Sequence, residues 1–299
     1  MLSADTDAVV ARVARLIALD AASNPLVNPA FDAKVLHDAL LRSPEPTWVL
    51  EHGRKITAHL YGALLEQDGR IAAWTGPDGY SYDDDAHFAN LVEAAWHYWR
   101  ERGVTEHFVW CLEEPVRRGT WHDLGFAPFS TRGSLALEHH RPRAHLEGCL
   151  VRRGEQRDLA AVLDLDEQLD VAQGDRPELR TMIEREAIRL ELEEALGDPE
   201  TNLYVVEASG CVIAQCITFP APSRRGSFPG TIFLSEVVVD QKHRRRGVAR
   251  HLIDHALNRA RDEGYEYCET QWRTSNEDAS HYWTNYGFRP TYTRLRRAL

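Results

Sequence analysis

Long apolar runs are missing from this 299-residue sequence. The longest are a few residues, far short of the ~20 that a membrane-spanning helix needs, and no bilayer crossing is expected. Met1-Leu2-Ser3-Ala4-Asp5 has neither the basic start nor the apolar stretch of a secretory signal, which leads to the expectation of a cytoplasmic protein. Cysteine is scarce: Cys111, Cys149, Cys211, Cys216 and Cys268 are odd in number and contain no Cys-x-x-Cys pair. That argues against a disulfide framework or a zinc cluster and for reduced, mostly buried thiols. Positive charge is in deficit, with a formal net charge of −11. Nucleic acid, which needs a basic footprint, is therefore disfavoured, whereas a small or cationic partner is accommodated. Lysine occurs only at positions 34, 55 and 242, a bias from which no mechanism is drawn.

What is present is the composition of a soluble globular protein, 43% apolar and 27% charged, in a chain long enough for two cores. The polar stretch Glu138-His139-His140-Arg141-Pro142-Arg143 divides it, giving an expected first domain over 1–140 and a second over 147–299. Adjacent histidines there, with no carboxylate at ligand spacing, read as solvated rather than metal-binding. The two halves echo each other at an offset of about 161. Trp48-Val49-Leu50-Glu51 falls near Tyr204-Val205-Val206-Glu207, the helical stretch Phe88 to Gly103 on Ala249 to Gly264, and Trp121 with Gly125-Phe126-Ala127-Pro128 on Trp283 with Gly287-Phe288-Arg289-Pro290. One fold is thus expected twice, without a shared function being implied.

In the second copy, periodicity and breakers predict a strand at Leu150–Arg152, helices over Leu159–Leu169 and Glu178–Leu196, and a hairpin Leu203–Glu207/Val212–Phe219 turning at Ser209-Gly210. A central strand Thr231–Val239 leads through a basic glycine loop into a helix ending near Glu263. A strand Tyr265–Trp272, a helix Glu277–Tyr286 and a closing strand Thr291–Arg294 complete a mixed α/β order.

The informative segment is Val237-Val238-Val239-Asp240-Gln241-Lys242-His243-Arg244-Arg245-Arg246-Gly247-Val248-Ala249-Arg250. A strand leaving into a helix amino terminus offers unpaired N–H groups and a positive dipole end, Gly247 permits close approach, and three arginines add charge. Such a loop suits a pyrophosphate. The segment resembles the acyl-coenzyme A loop of the GNAT acyltransferases, and Asn276, Ala279, Trp283 and Gly287-Phe288 reproduce that superfamily's second signature. The resemblance implies that main-chain groups of Val237 to Val239 bind the pantetheine arm. It further implies that Arg244 to Arg250 grip the pyrophosphate and that Asn276 and Trp283 stand beside acetyl-coenzyme A. It covers the second half strongly and the first weakly. Where the second copy has its arginines, the first has Ser81-Tyr82-Asp83-Asp84-Asp85-Ala86, carboxylates that would repel a phosphate. The tandem layout with a degenerate first copy is similar to that of mycothiol synthase.

The chemistry implied is direct attack of an amine on a thioester, with a main-chain N–H at a strand bulge, Val238 or its neighbour, receiving the oxyanion. The positions where the family often carries its basic carboxylate hold Phe233 and Ser235, so Glu236 is the candidate base, although strand alternation could turn it to solvent. The usual tyrosine acid is replaced by Trp283, for which Trp121 in the first copy suggests packing. Tyr286, Tyr282 and His281 are the neighbouring candidates, unless the thiolate leaves unassisted. Asp164, Asp166, Glu167, Asp170 and Asp175 suggest a field suited to an ammonium group. The expectation is an N-acetyltransferase using acetyl-coenzyme A and a small-molecule primary amine. A protein amino-terminal or lysine acetyltransferase and a non-catalytic acyl-coenzyme A binding protein are the alternatives, and the oligomeric state is open.

Overall fold

A computed structural model describes residues 3–67, 70–113, 115–142, 145–174, 185–222 and 225–299. The chain packs as two units that do not follow chain order. One comprises Met1–Gly133, Ser223–Phe228 and Trp272–Leu299, and the other Ser134–Pro222 and Pro229–Gln271.

The first unit starts with helices α1 (Ser3–Ser23) and α2 (Ala33–Arg42), followed by strands β1 (Trp48–His52), β2 (Lys55–Leu60), β3 (Ala63–Gln67), β4 (Arg70–Thr75) and β5 (Tyr80–Tyr82). Helix α3 (Asp85–Arg100), strand β6 (Val104–Leu112), helix α4 (Pro115–Asp123) and strand β7 (Ala127–Ala136) come next. Phe88, Leu91, Val92, Ala95, Trp96 and Trp99 recur at helical spacing on α3 and bury that face against the sheet, with Trp121 and Phe126 in the same core. His107 sits inside it, between the Trp96 indole N–H (3.0 Å) and the Thr75 hydroxyl (2.9 Å).

The second unit holds β8 (Cys149–Arg153), α5 (Leu159–Gly174), α6 (Arg185–Gly197), β9 (Asn202–Ala208), β10 (Cys211–Pro220), β11 (Thr231–Val239), α7 (Val248–Asp262) and β12 (Tyr267–Arg273). Helix α8 (Glu277–Tyr286) and β13 (Arg289–Ala298) return to the first unit. Strand order is β3-β4-β6-β13-β7 in the first unit and β12-β11-β10-β9-β8 in the second. Ser209 (φ 52) and Gly210 (φ 78) make the tight β9–β10 turn with both central residues left-handed, as a two-residue hairpin requires. Val162, Leu163, Ile188 and Leu192 from α5 and α6 cover Leu203, Val205 and Ile217 on one face of the second sheet.

Two expectations need revision, and one falls partly outside the described residues. The closing strand is longer than Thr291–Arg294 and pairs antiparallel with β6, from Tyr292↔Leu112 to Ala298↔Glu106. His140 is buried at 3% exposure, its ring 3.7 Å from the Asp254 carboxylate, so it is not a solvated linker residue, whereas His139 is exposed. The helix expected from Glu178 is described from Arg185, its earlier part lying outside the described residues.

Candidate functional site

Strand β11 is irregular where the chemistry was expected. Its antiparallel pairing to β10 runs from Pro220↔Ile232 to Ile217↔Ser235 and resumes at Gln215↔Val238 and Ala214↔Val239. Glu236 and Val237 therefore oppose Cys216 alone, a β-bulge, and Glu236 takes φ 51, a left-handed conformation that a side chain other than glycine rarely adopts. On its other side, β11 pairs in parallel with β12 from Thr231↔Tyr267 to Leu234↔Thr270, and the Thr270 hydroxyl donates to the Leu234 carbonyl at 2.9 Å. The pairing ends there while β11 continues to Val239, so the main chain of Ser235 to Val239 leaves the ladder on that side. The strands part where a bulge re-aims the backbone.

The turn that follows is held from two directions. The Asp240 carboxylate accepts from the Lys242 N–H (2.9 Å) and lies 3.0 Å from His243 Nδ1. Gln168 on α5 reaches Asp240 at 3.5 Å and accepts from the Gln241 N–H at 3.3 Å. Arg244 Nε donates to the Val239 carbonyl at 3.0 Å, pinning the strand end. Arg245 has φ 60, and Gly247, at φ 86, is the N-cap of α7 with no side chain closing the helix end. The first amide to return to the cap is that of His251, bonded to the Gly247 carbonyl at 3.0 Å. The N–H groups of Val248, Ala249 and Arg250 precede the helical ladder and point out of its end. A Cβ at Gly247 would meet no atom within 4 Å, so nothing crowds the cap residue itself. Arg245 and Arg246 are exposed beside it, whereas Arg250 turns to Asp254 on its own helix, 3.3 Å away.

The first copy closes the corresponding helix end with its own carboxylates. Asp84 caps α3, accepting from the His87 N–H at 2.9 Å, and Asp85 accepts from the Thr120 hydroxyl at 2.8 Å. Asp83 is paired with Arg12 at 2.8 Å and with Lys55 at 3.6 Å. The hydrogen bond from Arg12 holds the Asp83 carboxyl below its ordinary range against the opposing effect of partial burial. An anion approaching there meets a capped helix and negative charge.

Asn276 is the N-cap of α8, its side-chain oxygen accepting from the Ala279 N–H at 3.0 Å. Trp283 and Tyr286 are 7% and 8% exposed and pack on Phe288 with ring centroids 5.2 and 5.8 Å away. These three residues belong to the first unit, while Glu236 and the 237–250 segment belong to the second. His281 is exposed, and Tyr282 stands edge-on to Trp283 at 5.3 Å.

Within the second unit, a cavity of ≈ 230 Å³ opens between α6 and the β10–β11 pair. Glu236 lines it, so the bulge sets the side chain towards a cavity that strand alternation alone could not assign. Of the acidic segment noted in the sequence, Asp166 lines the cavity and is buried, Asp164 is exposed, and Asp175 lies outside the described residues, as does the side chain of Asp170. Glu191, Glu194 and Asp198 complete the carboxylate lining, and sequence reasoning missed them. The i, i+3 spacing of Glu191 and Glu194 along α6 was the available signal, because it puts both on one helical face, with Asp198 just past the helix end.

Residues 166–288 match the acetyltransferase (GNAT) family. No curated protein matches the chain. Among solved structures, a GCN5-related N-acetyltransferase from Sphaerobacter thermophilus is similar over 100% of this chain and 94% of its own, at 17% identity and a TM-score of 0.65. A tandem GNAT protein from the clavulanic acid biosynthesis pathway is similar over 100% and 97%, at 17% identity and a TM-score of 0.53. A GCN5-related N-acetyltransferase from Kribbella flavida matches over 87% and 91%, at 13% identity and a TM-score of 0.51. The fold is that of tandem GNAT proteins. The match to the acetyltransferase (GNAT) family is confined to residues 166–288, and the solved structures share the fold.

Proposed function

We propose that the protein transfers an acetyl group from acetyl-coenzyme A to a primary amine of a small molecule. In this reading the second copy, 147–299, is the working one and the first, 1–140, binds no coenzyme. The observation that carries it is the junction of three features in one stretch: the bulge at Glu236, the parting of β11 from β12 after Leu234, and the uncapped α7 terminus at Gly247. A pantetheine arm needs main-chain partners along an open strand, and a pyrophosphate needs free amides at its end. The donor supplies an activated thioester. Val237 to Val239 offer the strand edge, with the N–H of Val238 or its neighbour for the thioester oxygen. The amides of Val248 to Arg250, with Arg245 and Arg246, face the phosphates, and Arg244 holds the turn.

Glu236 removes the proton from the acceptor ammonium, directly or through water, so that the neutral nitrogen can attack the carbonyl carbon. A C–N bond forms, the C–S bond breaks, and the thiolate departs with a proton. Tyr286 is the sequence's candidate for that proton. Its packing beside Phe288 supports a structural part for the ring as well, and leaves solvent as the simpler source. A cavity of ≈ 230 Å³ beside Glu236 is of a size that favours a small acceptor over a protein chain. Incubation with acetyl-coenzyme A and a panel of amines, read by free thiol release and by a 42-dalton mass gain on the acceptor (about that of one acetyl group replacing a proton), tests the reading. Coenzyme binding without transfer to any amine would replace it with a binding protein.

A further inference from the structure

We infer that the acceptor carries a second ammonium group, held at a distance from the reacting one. This deepens the reading above and rests on it. Five carboxylate residues line the ≈ 230 Å³ cavity, Asp166, Glu191, Glu194, Asp198 and Glu236, and no lysine, arginine or histidine lines it among the described residues. Their situations differ. Asp198 is engaged in its own turn, accepting from the Glu200 N–H at 2.9 Å and the Thr201 hydroxyl at 2.6 Å. Glu191 and Glu194 have no ion pair or side-chain hydrogen bond among the described residues, although Arg189 on the same helix takes Glu186 and Glu193. Among the described side chains, Arg189 is thus spent on neighbouring carboxylates, which leaves Glu191 and Glu194 for a ligand.

A second observation comes from the strand behind the apolar wall. Gln215 is 0% exposed, and neither its amide oxygen nor its amide nitrogen has a partner among the described residues. It lies on the same face of β10 as Ile217 and Phe219, both of which line the cavity, and stands opposite Val238, just past the bulge. A buried amide without a partner is destabilising, a penalty relieved when a ligand supplies the missing hydrogen bond. The cavity has a polar end at Glu236, an apolar wall of Leu192, Ile217 and Phe219, and an exposed anionic rim at Glu191 and Glu194, with the Gln215 amide buried on the β10 face that carries the wall. An aliphatic diamine matches that sequence of surfaces: one amino group is acetylated at Glu236, the methylene chain lies on the wall, and the distal ammonium meets the rim.

The test compares acceptors that differ only at the distal end: 1,4-diaminobutane, 4-amino-1-butanol and 4-aminobutanoate, with the full chain at constant acetyl-coenzyme A. The expected kcat/KM falls at least tenfold from diamine to amino alcohol and further to amino acid. In the Glu191→Gln, Glu194→Gln variant the diamine preference collapses towards one through a raised KM. Calorimetry of the diamine against the coenzyme-loaded chain gives a readout that does not need turnover, and binding weakened by the same substitutions supports the inference. Acetyl-coenzyme A binding with equal or better use of the neutral or anionic acceptor overturns this inference alone. A preference that survives the double substitution also overturns it. Failure to bind acetyl-coenzyme A at all defeats the underlying function instead.

Discussion

At the scale of single residues, Glu236 concentrates the most information. It is a glutamate in left-handed backbone at a bulge, an arrangement that costs on the order of 1 kcal/mol and is retained here where it turns a carboxylate into a cavity. Glu236→Gln should lower kcat by about 10²–10⁴ and remove the acidic limb of the kcat/KM profile, with acetyl-coenzyme A affinity retained. A change of less than threefold would take the base role from it. Two histidines make a separate prediction about stability. Burial lowers the pKa of His59 from 6.5 to about 4 and that of His107 from 6.5 to about 3. Both are neutral in the folded chain, so below pH 6.5 the unfolded chain binds protons that the folded one does not. Stability is full above pH 6.5 and should fall with pH by ~1.4 kcal/mol per unit for each histidine until the folded values are reached. Urea midpoints between pH 7 and 5 check this, and a flat profile contradicts the neutral core. Sequence reasoning could place Glu236 beside the expected site but not settle its direction, because a bulge inverts alternation and leaves no mark in residue pattern.

At the scale of elements, the two copies use one helix terminus in opposite ways. Helix α7 ends on Gly247 with open amides, and α3 ends on Asp84 with its cap filled. Asp84→Ala should cost about 1 kcal/mol of stability, seen as a lower denaturant midpoint, without creating coenzyme affinity, since Asp83 and Asp85 stay in place. Gly247→Ala should also destabilise by roughly 1–2 kcal/mol, because φ 86 is unfavourable with a Cβ. Unchanged melting in either variant would show that the terminus is not strained or capped as described. This contrast was legible beforehand, since arginine with glycine and a run of aspartates have opposite electrostatics wherever they fall in a loop. The hairpin at Ser209-Gly210 and helix α8 were equally legible, being marked by turn and cap residues. The carboxylate face of α6 was not, because Glu191 and Glu194 look like any solvated helical stripe until a cavity is placed against them.

At the scale of the molecule, chain order and packing diverge. Strand β13 pairs with β6 along Tyr292 to Ala298 and contributes buried Tyr292 and Leu295 to the first unit. Removing residues 289–299 should therefore unfold or proteolytically sensitise the first unit, visible as new cleavage near β6; an unchanged digestion pattern would deny the pairing. Nothing in the repeat revealed this, because register and partner of a closing strand depend on long-range pairing that sequence similarity between copies does not encode. Calorimetric titration of acetyl-coenzyme A into the full chain, and into a Gly247→Glu, Arg244→Ala variant, tests the central claim most directly. The account predicts one site per chain, lost in the variant. Two sites, or one site that survives the substitutions, would contradict it.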